Sequence, residues 1–160
     1  MLKSKLIYTC FSRRKYMKRV SLVVAALFVF AIGFSALTVP AQAQDFGSLL
    51  IQLETSVQYS SQSDSWRSRR SGWISQVRSC SDLSCYKTLL IEFETNVKYD
   101  AQSDSWRSRR SGWLSRVRSA GSMSQLGRLM IEVETSIKYS AQSSSWRSSR
   151  SGWLSSVRSL

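Results

Sequence analysis

From residue 49 onward apolar residues recur at intervals of three and four. In the stretch 89–101, Leu90, Phe93, Val97 and Ala101 fall on one helical face. In the stretch 106–117, Trp106, Arg110, Trp113, Leu114 and Val117 do the same, and strict alternation fails. The first stretch also alternates: Ile91, Phe93, Thr95, Val97 and Tyr99 form a period-two series rich in strand-favouring residue types. Leu89 and Leu90 extend the helical stripe ahead of Phe93, so the pattern predicts two short antiparallel helices joined through Ala101-Gln102-Ser103-Asp104. Ser84 and Ser124 are placed to cap the first helix, and Ser103, Asp104 or Ser105 the second. The predicted fold class is all-α; the alternative is α+β, with a strand and a helix in each unit.

This two-part unit is written three times at a spacing of 40 residues. Residues 49–79, 89–119 and 129–159 align without a gap, sharing E-T-x-[VI]-x-Y and Q-S-x-S-W-R-S-x-R-S-G-W-[IL]-S-x-V-R-S. A short unit that cannot bury its apolar face alone stacks on its copies. The expected architecture is three tandem helical hairpins stacked in a row as a small array. Repeat three carries Ser149 and Ser156 where repeat two has Arg109 and Arg116, which suits a terminal cap. Gly72, Gly112 and Gly152 interrupt the second helix of each unit, where glycine costs up to about 1 kcal/mol against alanine. The expected reason is close approach of a neighbouring helix or indole, or a break in the helix.

The pattern changes at the N-terminus. Lys3, Lys5, Arg13, Arg14, Lys15, Lys18 and Arg19 precede an uncharged run over 21–39, followed by Pro40 and Ala41-Gln42-Ala43. This predicts an export signal over 1–43 with cleavage after Ala43, leaving 44–160 as a single repeat domain. The alternative is an uncleaved anchor, since the run is long enough to span a bilayer. Residues 12–18, SRRKYMK, resemble the twin-arginine export motif. A start at Met17 would instead leave an ordinary secretory signal, the route preferred here because the run is strongly apolar. The expected location is outside the cytoplasm, periplasmic or secreted, with membrane contact only through the signal segment if it is uncleaved.

Charge and cysteine content fit that reading. The chain is +13, with 23 basic and 10 acidic residues. Seven of the basic residues lie before residue 44, which leaves 16 against 10 in the repeat domain. A moderately cationic exported protein meets anionic partners. Cys80 and Cys85 flank a four-residue link between the first two repeats, and the equivalent later positions are Ala120 and Gln125. They are expected to form a local disulfide, worth roughly 2 kcal/mol on the chain-entropy model. The spacing is not that of a redox-active C-x-x-C, and two thiols without histidine do not complete a zinc site.

Histidine is absent. That excludes Ser-His and Cys-His nucleophile pairs and histidine metal sites. No phosphate-cradling glycine loop is present. No cofactor, metal or catalytic residue is predicted, and the chain is read as non-enzymatic. Glu54, Glu94 and Glu134 recur in every unit, as do Arg70, Arg110 and Arg150, and groups repeated three times suit ion pairs that hold each unit together. Six tryptophans, Trp66, Trp73, Trp106, Trp113, Trp146 and Trp153, lie in pairs seven residues apart, so each pair shares a helix face. With arginines three or four positions away, including Arg69 and Arg70, they form either a binding ladder using cation–π contacts or, as is commoner for large aromatics, the core. The expected function is an exported binding or scaffold module in the cell envelope or outside the cell. Its partner would be a protein or an anionic polymer. The second reading is a cationic Arg/Trp surface that binds lipopolysaccharide, wall polymer or membranes; export argues against nucleic acid as the main ligand.

Overall fold

The computed structural model describes residues 41–160; the export signal expected over 1–43, apart from its last three residues, lies outside them. Among the described residues are six α-helices: α1 (Ala41–Ser56), α2 (Asp64–Ser79), α3 (Leu83–Asn96), α4 (Asp104–Ser119), α5 (Met123–Ser136) and α6 (Ser144–Arg158). Each repeat is a helical hairpin, α1–α2, α3–α4 and α5–α6. Its connection contains a short 3-10 turn: Tyr59–Ser61, Tyr99–Ala101 or Tyr139–Ala141. The fold is an all-α repeat array, as the periodicity predicts.

The array does not run as an open row. The inner helices α1, α3 and α5 pack on one another, and each outer helix lies between two of them: α2 between α1 and α3, α4 between α3 and α5, α6 between α5 and α1. Repeat three therefore meets repeat one as repeat one meets repeat two. The array closes into a ring, and repeat three is not a terminal cap. The backbone repeats the same cyclic order. Gln58 N–H donates to the Ala141 carbonyl at 2.8 Å, Lys98 N–H to Ser61 at 2.9 Å, and Lys138 N–H to Ala101 at 2.8 Å. Reciprocal bonds run from Ser63 to Asn96, Ser103 to Ser136 and Ser143 to Ser56.

These bonds account for the strand signal. The inner helices stop at Ser56, Asn96 and Ser136, and the next residue turns extended, with Val97 at φ −75°, ψ 126°. Three isolated antiparallel bridges follow, Val57 with Gln142, Gln62 with Val97 and Gln102 with Ile137. The alternation over 91–99 marks the one extended step in each repeat, and no strand forms among the described residues. The caps of α3 and α5 lie two residues earlier than expected, while Ser103 takes the N-cap position of α4, one of those expected. Asp82 accepts from the Cys85 N–H at 2.9 Å and Ser122 from the Gln125 N–H at 3.2 Å, whereas Ser84 and Ser124 lie inside the helices.

The core is one cluster running through all three hairpins. Equivalent positions on the inner helices form the triplets Phe46/Tyr86/Leu126, Leu50/Leu90/Met130 and Leu53/Phe93/Val133, all at most 1% exposed. Two of the triplets combine aromatic and aliphatic side chains, and together the three fill the centre of the ring at the density of a packed interior. Phe46 and Tyr86, from different repeats, meet with ring centroids 5.0 Å apart.

Gly72, Gly112 and Gly152 do not break their helices, and nothing lies within 4 Å of a Cβ built on any of them. They are exposed, so close packing is not their role. Close packing does act at Gly47, where a Cβ would meet the Tyr86 hydroxyl at 2.9 Å, and at Gly127, against Val157 and Leu160.

The ring has two distinguishable poles. The 3-10 turns, bonded to one another, form the turn pole. The links over 80–82 and 120–122, with the start of α1 and the end of α6, form the link pole.

Candidate functional site

Every repeat builds the same buried polar cluster. In repeat one, Glu54 on α1 is fully buried, and its Oε1 accepts from Gln62 Nε2 at 2.9 Å, Trp66 Nε1 at 3.0 Å and Arg70 Nε at 2.6 Å. Arg70 Nη2 donates to Oε2 at 2.6 Å, completing a two-pronged pair. Repeat three assembles Glu134 with Gln142, Trp146 and Arg150 in the same way, and repeat two assembles Glu94 with Gln102, Trp106 and Arg110, whose Nε alone donates to both carboxylate oxygens at 2.7 and 2.9 Å. The spacing follows from the hairpin: the carboxylate hangs from the last turns of the inner helix. Glutamine comes from the connection, and tryptophan and arginine from adjacent turns of the outer helix.

Hydrogen bonding to its glutamate raises each of Arg70, Arg110 and Arg150 above the ordinary arginine value, against the opposing effect of burial. Burial pushes the Glu134 carboxyl up, but bonds from Arg150, Trp146 and Gln142 outweigh it and hold the group below the usual carboxylate range.

The six indoles are core residues, at most 5% exposed. Their N–H groups divide the work. Trp66, Trp106 and Trp146 bond the glutamate of their own repeat, as above. Trp73, Trp113 and Trp153 donate across to the next inner helix, to the carbonyls of Leu89 (3.2 Å), Leu129 (2.9 Å) and Leu49 (2.9 Å). Within each pair the ring centroids are 5.2–5.5 Å apart. The cation–π contacts expected between Arg69 or Arg70 and the indoles do not occur. Arg70 serves Glu54, and Arg69 Nη1 reaches Glu92 at 3.1 Å.

The cation–π contacts lie elsewhere. Arg67 sits 4.0 Å from the centroid of the Tyr59 ring, Arg107 3.3 Å from Tyr99, and Arg147 3.7 Å from Tyr139. These tyrosines are 59–63% exposed, the large hydrophobic residues left in solvent among the described residues. All three pairs stand at the turn pole. The sequence carried their signal, an invariant tyrosine eight residues before an invariant arginine, but the spacing crosses a turn and helical periodicity does not reach it. Gln62, Gln102 and Gln142 were missed for the same reason.

Cys80 and Cys85 are disulfide-bonded at the link pole. Beside them the Tyr86 hydroxyl lies 2.9 Å from the Cys80 carbonyl and 2.7 Å from that of Ala43, donating to one at a time. Burial, then the Asp82 charge, raise this phenol above its ordinary value. Grooves run along the repeat boundaries. One of about 470 Å³ is lined by Gly47, Ile51, Arg78 and Tyr86, and one of about 350 Å³ by Arg116, Gln125, Arg128 and Glu132. Among the described residues no group of three or more His, Cys, Asp or Glu could hold a metal ion, and no helix is long and apolar enough to cross a membrane.

The fold defines a ring of three helical hairpins, each closed over a buried Glu–Arg–Trp–Gln cluster. A family model described as a domain of unknown function (DUF8799) matches residues 82–147, from the start of repeat two into the first turn of α6. No curated protein and no solved structure matches the chain.

Proposed function

We propose that the chain is an exported, non-enzymatic binding or scaffold module that presents a threefold surface at its turn pole. The observation that carries this reading is the set of Tyr59/Arg67, Tyr99/Arg107 and Tyr139/Arg147 pairs. Three equivalent exposed tyrosines recur around one pole, each with a guanidinium over its ring and more than half of its surface in solvent. Exposed tyrosine and arginine give large contact area and directional donors, the residue types that dominate interface energetics. Three equal contacts on one rigid body multiply a weak single affinity when the partner offers repeated or symmetric sites. The repeated carboxylates, by contrast, are buried and fully engaged, which makes them poor acid–base groups for an outside substrate. The disulfide supports an oxidising compartment outside the cytoplasm.

The test is photo-crosslinking in living cells, with a benzoylphenylalanine placed at residue 99 or, as the control, at Gly112 on the outer face of α4. The reading expects a discrete adduct from residue 99 and none from residue 112. Identical patterns from both positions, or no adduct from either, would refute it.

A further inference from the structure

We infer that the groove beside Gly47 in repeat one binds a primary ammonium group on an aliphatic stem: a lysine side chain presented by another polypeptide. The inference stands apart from the turn-pole reading. It comes from the three ways in which the repeats treat one position.

Residues 47, 87 and 127 are equivalent. They lie in the second turns of α1, α3 and α5, beside the end of the outer helix of the same repeat. In repeat two the residue is Lys87. It is half-buried, and its Nζ donates to the Arg118 carbonyl at 3.1 Å. That carbonyl belongs to the last turn of α4, where backbone acceptors lack a partner within the helix and a cation is favoured. In repeat three the residue is Gly127, and the chain covers it: a Cβ there would lie 3.2 Å from Val157 and 3.3 Å from Leu160. In repeat one the residue is Gly47. A Cβ there would meet the Tyr86 hydroxyl at 2.9 Å, and two carbonyls hold that hydroxyl in place. No side chain at residue 47 can therefore run to the end of α2 as Lys87 runs to the end of α4.

What remains in repeat one is the groove of about 470 Å³, lined by Gly47, Ser48, Ile51, Val77, Arg78 and Tyr86. Ile51 and Val77 match Ile91 and Val117 of repeat two, so the same apolar residue types are offered to a stem. The Arg78 carbonyl is the counterpart of the one that Lys87 occupies, and among the described residues no group donates to it. Repeat one thus has the acceptor and the apolar walls without the lysine. The acidic residues Asp45 and Asp82 stand where repeat two has Cys85 and Ser122, and Asp45 is one helical turn from Ser48. The exposed Arg78 guanidinium does not forbid an ammonium at its own carbonyl, since Arg118, also exposed, accepts Lys87 in the same place. The volume lies in the range of ligand pockets and accommodates a stem with part of the backbone that carries it.

The test is NMR of the full chain titrated with a blocked Gly-Lys-Gly tripeptide, and with the same peptide acetylated on Nζ. The expected result is saturable shifts of the amides at Gly47, Ile51 and 77–80 with the lysine peptide. The acetylated peptide keeps the stem, loses the charge and should produce none. Ser48→Arg puts at the groove the residue that repeat three carries as Arg128, and residue 48 is exposed, so the fold should be unaffected. It should weaken binding about ten-fold, through like-charge repulsion. Gly47→Lys with Tyr86→Leu copies Lys87 and Leu126 into repeat one and should abolish binding, because the groove then holds a lysine of its own. Asp45→Asn should weaken binding about two-fold, as loss of an exposed charge pair does. Equal shifts from the acetylated peptide, shifts scattered over the ring, or a titration unchanged by Ser48→Arg would overturn the inference. Tighter binding of the free diamine cadaverine than of the peptide would overturn the assignment to a polypeptide.

Discussion

Glu134 is the residue where the repeat's chemistry is most legible. A carboxylate taken out of water is stable only with compensation, and here an arginine, an indole and an amide supply it. Because its folded pKa is depressed, the stability it contributes is complete above the ordinary carboxylate value of 4.5 and is lost as pH falls below it. Glu134→Gln should destabilise the protein at neutral pH by about 3 kcal/mol, the low end for breaking a buried pair whose arginine keeps some solvent. It should also flatten the acid limb of stability measured by urea unfolding. The glycines give a contrasting pair. Gly112→Ala should stabilise by up to about 1 kcal/mol, since helix propensity improves and nothing is displaced. Gly47→Ala should destabilise, because the new Cβ meets a Tyr86 hydroxyl fixed between two carbonyls. The Glu–Arg pairing was legible from its threefold recurrence. The true role of Gly47 was not, because it depends on a tyrosine 39 positions away in another repeat.

At the scale of elements, the three junctions of the ring are unequal. Between repeats one and two, Arg69 on α2 bridges to Glu92 on α3, and a disulfide reinforces the link. Between repeats two and three, Arg116 on α4 bridges to Glu132 on α5 at 2.6 Å. Between α6 and α1 the corresponding residues are Ser149, Ser156 and Gln52, and the groove there is lined by Gln52, Thr55, Ser143 and Ser149 with no charge. The depletion of arginine in repeat three, which suggested a chain end, marks this uncharged seam. Gln52→Glu combined with Ser149→Arg copies the first junction into the third. It should raise stability by up to about 1 kcal/mol, less at high salt, as measured by denaturant unfolding; each single change should be close to neutral. The helices themselves were legible in the sequence because their apolar stripes recur three times. The extended residues Val57, Val97 and Ile137 were legible only as ambiguity, since one bridge per repeat is too short to settle a period.

At the scale of the molecule, closure explains how helices so rich in serine stay folded. Short helices of this composition have little stability alone and depend on tertiary contacts. Each outer helix receives them from two inner helices, and each second indole ties one repeat to the next. Nothing in the repeat pattern separates an open row from a ring, because both place the same faces in contact within neighbouring pairs. Only the contacts of repeat three on repeat one decide it. The most direct measurement is circular permutation. Joining Leu160 to Ala41 with no added residue and opening the chain between Gly121 and Ser122 preserves every repeat-to-repeat contact of a ring. The account predicts a permutant that unfolds cooperatively, with helicity and tryptophan shielding equal to the parent's. A permutant that cannot fold, or whose tryptophans are open to quencher, would contradict closure.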